Sequence, residues 1–156
     1  MIVTSVPRSE IEGLSVSVVV YRPDLSQLLS TLASLSAACD ALRALRPVFP
    51  VELYLIDNGG LPDISAALQD LRAHNITCSI VTGHGNVGYG HGHNLAIAPT
   101  EHRYHLVLNP DIDLGRDALT EALNFFESQP DAGLLSPRIG ACWPGELKWR
   151  LRHLLP

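Results

Sequence analysis

Positive charge is scarce in this sequence. Its 156 residues hold 11 lysines and arginines against 16 acids, a formal net charge of −5. A nucleic-acid-binding face needs clustered basic residues, so that class of partner is excluded and small molecules are favoured. Cysteine is sparse too: Cys39, Cys78 and Cys142 lie far apart with no CxxC pair. That pattern suggests neither a disulfide framework nor a zinc site. Cys39, in a helical pattern, and Cys78, in a strand pattern, read as small buried hydrophobes. Aromatics are few, at 6% of residues, and there is no low-complexity tract. No apolar run is long enough to cross a bilayer. The opening "MIVTSVPRSEIEG" lacks the basic segment and apolar core of a secretory signal. The expectation is a cytoplasmic chain forming one domain.

What the sequence does have is regular alternation. "VSVVVY" over 16–21 is a β-branched run of the kind expected for a strand buried on both faces. Pro23 and Asp24 open a long helical stretch whose apolar stripe runs from Leu25 through Leu28, Leu32, Leu35 and Leu42 to Leu45, ended by Pro47. "VELYLI" (51–56) predicts a second strand, and Asp63 can cap the next helix, "ISAALQDLRAH". "ITCSIV" predicts a third strand, 89–98 a short helix, "YHLVL" (104–108) a fourth strand, "RDALTEALNFFES" a further helix and "AGLLS" (132–136) a fifth strand. Strands alternating with helices imply an α/β, Rossmann-like fold: a mostly parallel twisted sheet with helices on both faces. Ligands bind such sheets beyond the carboxyl ends of the strands. Three polar loops, "DNGG", "GHGNVGYGHGHN" and "NPDID", each follow a strand directly. They should therefore share one edge and form one site.

Each loop carries chemistry with competing readings. Asp57 either caps the turn after its strand or accepts a hydrogen bond from a bound base or ribose. In "LNPDIDL", Pro110 stiffens the turn and directs Asp111 outward, with Asp113 two residues on. Such oxygen donors suit Mg²⁺ or Mn²⁺ shared with substrate phosphates, although Asp113 could instead help start the next helix. Gly83, Gly85 and Gly88 match the dinucleotide fingerprint G-x-G-x-x-G. The match falls after the third strand, however, whereas the fingerprint opens the first βα turn. His84, His91 and His93 are close in sequence, but His91 and His93, two apart at a helix start, would not share a face for a metal.

Taken together these segments resemble the inverting nucleotide-sugar glycosyltransferases with the GT-A fold, of the family 2 type, most closely the bacterial rhamnosyltransferase-like branch. "VSVVVYRPDLSQLLSTLASL" looks like that family's first strand and helix, and "YLIDNGG" like its second strand with the nucleotide-contacting Asp. "GNVGYGHGHNLAI" is similar to its Asn-x-Gly-aromatic-Gly…Asn segment, "LVLNPDIDL" to its Asp-x-Asp motif, and "GLLSPRI" to the strand that follows. The resemblance implies a donor-binding domain over 14–140. In it Tyr21, Asp57, Asn86, Gly88, Tyr89, Gly90, Asn94 and Asn109 contact the nucleotide sugar, and Asp111 with Asp113 binds Mg²⁺ or Mn²⁺. The implied donor is dTDP-rhamnose or a UDP-sugar, and the acceptor a glycan or lipid-linked glycan of cell-surface polysaccharide such as O-antigen. The first Asp of Asp-x-Asp is Asn109 here, which leaves most of the metal binding to Asp111.

The family's general base lies in an acceptor-binding half after "LLSPRI". Glu146 is the sole acid after Asp131, and nothing marks it as that base, so the catalytic residue is unassigned. A truncated or split transferase is expected, with 141–156 the start of the acceptor-binding region. Its stretch from Lys148 to Leu155 is basic and apolar, suited to peripheral contact with the inner face of the plasma membrane or to self-association. Two other readings stay open: an NAD(P)-binding oxidoreductase domain through "GHGNVG", and a non-catalytic nucleotide-sugar-binding module.

Overall fold

The computed structural model describes residues 1–5 and 11–136. In chain order the elements are β1 (Ile2–Ser5), β2 (Ile11–Val20), α1 (Leu25–Leu45), β3 (Val51–Asp57), α2 (Ser65–Ala73), β4 (Ile76–Val81), α3 (Tyr89–Ile97), β5 (His102–Leu108), α4 (Ala118–Ser128) and β6 (Leu134–Leu135). The strands form one sheet in the order β4-β3-β2-β5-β1-β6. β4, β3, β2 and β5 are mutually parallel, which places their carboxyl ends on a common edge.

Two features depart from the sequence reading. β1 was not foreseen; it pairs antiparallel with β5, from Ile2 opposite Val107 to Ser5 opposite Tyr104. The strand expected at 132–136 shrinks to Leu134–Leu135 and pairs antiparallel with β1 rather than joining the parallel set. β2 also starts earlier than expected, at Ile11, and ends at Val20, so Tyr21 stands beyond the strand.

The two faces of the sheet are built differently. On one, Leu14, Val16, Val18 and Val20 of β2, Val51, Leu53 and Leu55 of β3, and Tyr104, Leu106 and Leu108 of β5 form the main core with α1, α2 and α4. Each fully buried leucine there contributes roughly 2 kcal/mol through the water-to-apolar transfer of its side chain. α1, with 21 residues and mean hydropathy 1.3, is long and apolar enough by composition to span a bilayer, contrary to the reading of the short apolar runs. Its stripe of Leu28, Leu32, Leu35, Cys39 and Leu42 is fully buried in this core, as in a core helix of a globular domain. Cys78 is only partly buried, unlike Cys39.

On the opposite face α3 packs across β2 and β3 through Val19, Ile56 and Ala96. Beside that small cluster the alternate positions of the sheet are polar: Ser15, Ser17 and His105 are buried there. Burial on both faces thus holds for β2, but the second face is packed partly with hydroxyls and imidazoles.

Candidate functional site

The carboxyl ends of β2, β3 and β5 and the loop after β4 meet at the common edge. Asp57 closes β3, and its Oδ1 accepts the N–H groups of Gly59 at 2.8 Å and Leu61 at 3.3 Å. The turn-capping role foreseen for it is therefore real. No hydrogen bond within the described residues engages Oδ2, which leaves the second oxygen for a ligand. The turn it holds also receives the Arg22 N–H on the Gly59 carbonyl, 2.8 Å. Arg22 sits at φ 47, a conformation that costs a non-glycine residue roughly 1 kcal/mol or more. Its guanidinium lies 5.3 Å from the ring centroid of the half-exposed Tyr21, within cation–π range.

Asn58, which sequence reading passed over, ties two loops together. Its N–H donates to Val20 O at 2.9 Å, and its Nδ2 donates to Gly88 O at 3.1 Å. The Gly88 N–H in turn donates to Asn86 Oδ1 at 3.0 Å, closing an Asx turn. Gly88 has φ 80 as it hands the chain to α3, a region where a side chain is strained. Gly90 has no such backbone need, and among the described residues a Cβ added there would meet no atom outside its own helix backbone within 4 Å. Nothing among the described residues accounts for a glycine within this helix turn. Asn94 is exposed on the same helix, and His91 faces solvent while His93 turns into the sheet, so the two imidazoles cannot share a metal.

After β5, Asn109 Oδ1 accepts the Tyr89 hydroxyl at 2.6 Å, joining the two loops. Burial, and secondarily the Asp111 carboxylate, raises the Tyr89 pKa, so the phenol stays a hydrogen-bond donor. Asp111 is exposed and lines a cleft with Ser26, Gln27, Ser30 and Asp113. Asp113 does not start α4. Its Oδ1 accepts the Ser30 hydroxyl at 2.8 Å, and the Leu114 N–H donates to Ser34 Oγ at 3.0 Å, so this loop is laced to α1. Among the described residues no group of three or more His, Cys, Asp or Glu side chains could hold a metal ion alone. The donor set fits a hard cation only in the shared manner, with one or two carboxylates on the protein and the rest of the shell from phosphate and water.

Beneath Tyr89 lies a buried chain that sequence reading missed. Ser15 Oγ is 2.6 Å from His105 Nδ1, His105 Nε2 is 2.8 Å from Ser17 Oγ, and Ser17 Oγ is 2.7 Å from His93 Nδ1. The His93 ring stands edge-on to Tyr89 with centroids 4.4 Å apart. Burial pushes both imidazoles down to about 4, so both are neutral at physiological pH. A histidine inside the otherwise apolar "YHLVL" was the available signal for this network.

The structure thus brings Asp57, Asn86, Gly88, Tyr89, Gly90, Asn109 and Asp111 to one edge and adds Asn58, Ser30 and the buried histidines. Residues 137–156, which include Cys142 and Glu146 and carry the 141–156 tail, lie outside the described residues, as do residues 6–10.

No family model matches the chain, and no curated protein sequence matches it. Solved structures do. TarS 1–349 of S. aureus, a GT-A-type glycosyltransferase, aligns with TM-score 0.57 and 20% identity over 76% of this chain and 33% of that one. The same protein in complex with UDP-GlcNAc aligns with TM-score 0.57 and 20% identity over 76% of this chain and 32% of that one. A longer TarS structure aligns with TM-score 0.56 and 21% identity over 74% of this chain and 20% of that one. The chain spans about a third of TarS 1–349 or less. At this identity the likeness defines architecture, and the architecture is the α/β fold of the GT-A glycosyltransferases.

Proposed function

We propose that this chain is the donor-binding domain of a glycosyltransferase, holding a nucleoside-diphosphate sugar across the carboxyl edge of its parallel strands. The observation that carries the reading is the convergence of Asp57, the glycine loop and Asp111 on that edge of a GT-A fold. In this reading the oxygen of Asp57 not engaged by the turn accepts from a pyrimidine base. The open backbone at Gly90 admits the sugar close to the chain. Asp111, with Asp113 beside it, offers hard oxygens to Mg²⁺ or Mn²⁺; such an ion, when bound with the diphosphate, neutralises the charge that develops on the leaving group. The protein's own contribution is orientation: Asn58 and Asn109 lock the loops so that base, diphosphate and sugar are held in one register.

UDP-GlcNAc in a neighbouring structure supports a UDP-sugar, whereas the motif resemblance supports dTDP-rhamnose. In either case the product has inverted stereochemistry and the acceptor is a glycan or lipid-linked glycan of the cell surface, reached from the cytoplasmic side. The oxidoreductase reading loses ground on geometry. Residues 83–88 form a loop with positive φ at Gly83, Gly85 and Gly88, α3 starts only at Tyr89, and the preceding β4 is the edge strand. The fingerprint needs a helix N-terminus on the pyrophosphate at the sheet's switch point.

Calorimetric titration with UDP, dTDP and NAD⁺, each with and without Mn²⁺, tests the proposal. Metal-dependent binding of UDP or dTDP is expected; binding of NAD⁺ alone overturns it. Asp111→Asn removes one negative charge at an exposed position, so the melting temperature should hold while the Mn²⁺-dependent part of the affinity falls at least about tenfold. Asp57→Asn keeps the Oδ1 acceptor for Gly59, so the turn should survive. Nucleotide affinity should nevertheless drop about tenfold, the range for a hydrogen bond to a charged group. Unchanged affinity in Asp57→Asn would remove the base contact from the model.

A further inference from the structure

The order of protons in the buried chain can be worked out from its ends. Ser15 Oγ lies 3.4 Å from the Tyr104 carbonyl as well as 2.6 Å from His105 Nδ1. A carbonyl only accepts, so the Ser15 hydroxyl donates to it and His105 Nδ1–H donates to Ser15. A neutral imidazole has a single N–H, so His105 Nε2 is bare and accepts the Ser17 hydroxyl. Ser17 has then spent its proton and accepts from His93 Nδ1–H. His93 Nε2 is left bare, buried and without a partner among the described residues. The reverse order would strand a buried N–H there instead, and buried orphan donors are rarer in proteins than under-satisfied acceptors.

His93 is therefore held from one side by a fixed string of hydrogen bonds to the rigid strands β2 and β5. Its other side meets the Tyr89 ring edge-on, and Tyr89 donates its hydroxyl to Asn109 at the head of the loop that carries Asp111. We infer that His93 is a positioning residue for the donor site: anchored through Ser17 and His105 to the second face of the sheet, it sets the Tyr89 ring and through it Asn109. The effect on nucleotide rests on the donor-site reading; the mechanical link from His93 to Asn109 does not.

His93→Phe tests this cleanly. It keeps a ring against Tyr89 but loses the bond to Ser17, and Ser17 keeps its donation to His105, so no hydroxyl proton is stranded. The melting temperature should stay close to that of the wild type while UDP affinity in the presence of Mn²⁺ falls about fivefold. In a Tyr89→Phe background, which already lacks the hydroxyl on Asn109, the same change should cost less than about twofold. Wild-type affinity in His93→Phe overturns the inference. An equal loss in both backgrounds does so as well, because His93 would then act on the fold and not through Tyr89.

A second readout needs no nucleotide. Imidazole ¹⁵N spectra of the ligand-free protein at neutral pH should show both His93 and His105 as neutral Nδ1–H tautomers. Asn109→Ala should shift the His93 ¹⁵N resonances, and their indifference to that change overturns the link whatever UDP does. If the wild type binds neither UDP nor dTDP yet the resonances move, the donor-site reading fails and the mechanical link stands.

Discussion

The folded protein is expected to lose stability steeply as pH falls from 6.5 towards 4, a window set by His93 and His105. Both are buried and neutral, pushed down to about 4 by desolvation, against about 6.5 in the unfolded chain. Between these values the unfolded state binds protons that the folded state refuses, so stability rises with pH across the window and is fully present above it. Taken alone, each ring accounts for about 3 kcal/mol over the full interval, of which about 2 kcal/mol is gone by about pH 5. The two rings share Ser17, and the charge of one opposes protonation of the other, so the joint loss is of order several kcal/mol. That is a large part of the 5–15 kcal/mol of a typical domain. Urea denaturation at a series of pH values reads it directly, with a slope approaching about 2.7 kcal/mol per pH unit. The Glu127 carboxyl is held below its ordinary range by the hydrogen bond from Arg46, so its contribution is likewise lost as pH falls. His105→Gln, which can still meet Ser17, should roughly halve the slope. A flat profile from pH 7 to pH 5 would show that the imidazoles are solvated and the buried chain does not exist.

That network marks where the sequence stopped being informative. The apolar runs of β2, β3 and β5 were legible because burial of a strand leaves a local apolar signature. β1 was not, since four residues of "IVTS" carry no periodicity, and their place between β5 and β6 is decided by pairing far along the chain. Asp57, the glycine loop and Asp111 could be read because strand-end loops in an alternating α/β chain converge on one edge. Asn58, Ser17 and Ser30 could not, and His105 left only a lone histidine in an apolar run, because their roles exist only through partners 30 to 90 residues distant. Asp113 shows the converse. Two acids spaced by one residue suggested a metal pair, yet Ser30 holds one oxygen of Asp113 against α1, and the structure leaves Asp111 the more available donor.

Two glycines two positions apart in α3 should respond to the same substitution in opposite ways. Gly92 faces the sheet, and a Cβ placed there would stand 2.8 Å from Val19 Cγ2, 3.0 Å from Val19 Cγ1 and 3.6 Å from Ile56 Cγ2. Val19 is stiff at χ1 and sits on β2, which is paired on both sides by β3 and β5, so the strand cannot recede. In Gly92→Ala the helix must lift instead. The gain of about 1 kcal/mol that alanine brings to a helix is set against an overpacking cost of about 1–3 kcal/mol. Net destabilisation is expected. Lifting α3 also lengthens the Ser17–His93 contact and the Asn58 bond to Gly88, so nucleotide affinity should fall at least about tenfold, in line with the cost of misplacing binding groups. In Gly90→Ala the added methyl meets no atom of the described residues outside its own helix, so the same propensity term should raise stability by up to about 1 kcal/mol. If a nucleotide sugar lies against that backbone, the methyl occupies its place and affinity should collapse despite the stabler fold. Thermal melts and UDP titrations of the two variants, side by side, decide both points. Gly92→Ala as stable as the wild type would mean α3 is not seated on Val19, and Gly90→Ala with undiminished binding would mean the open space above Gly90 belongs to solvent, not to the sugar.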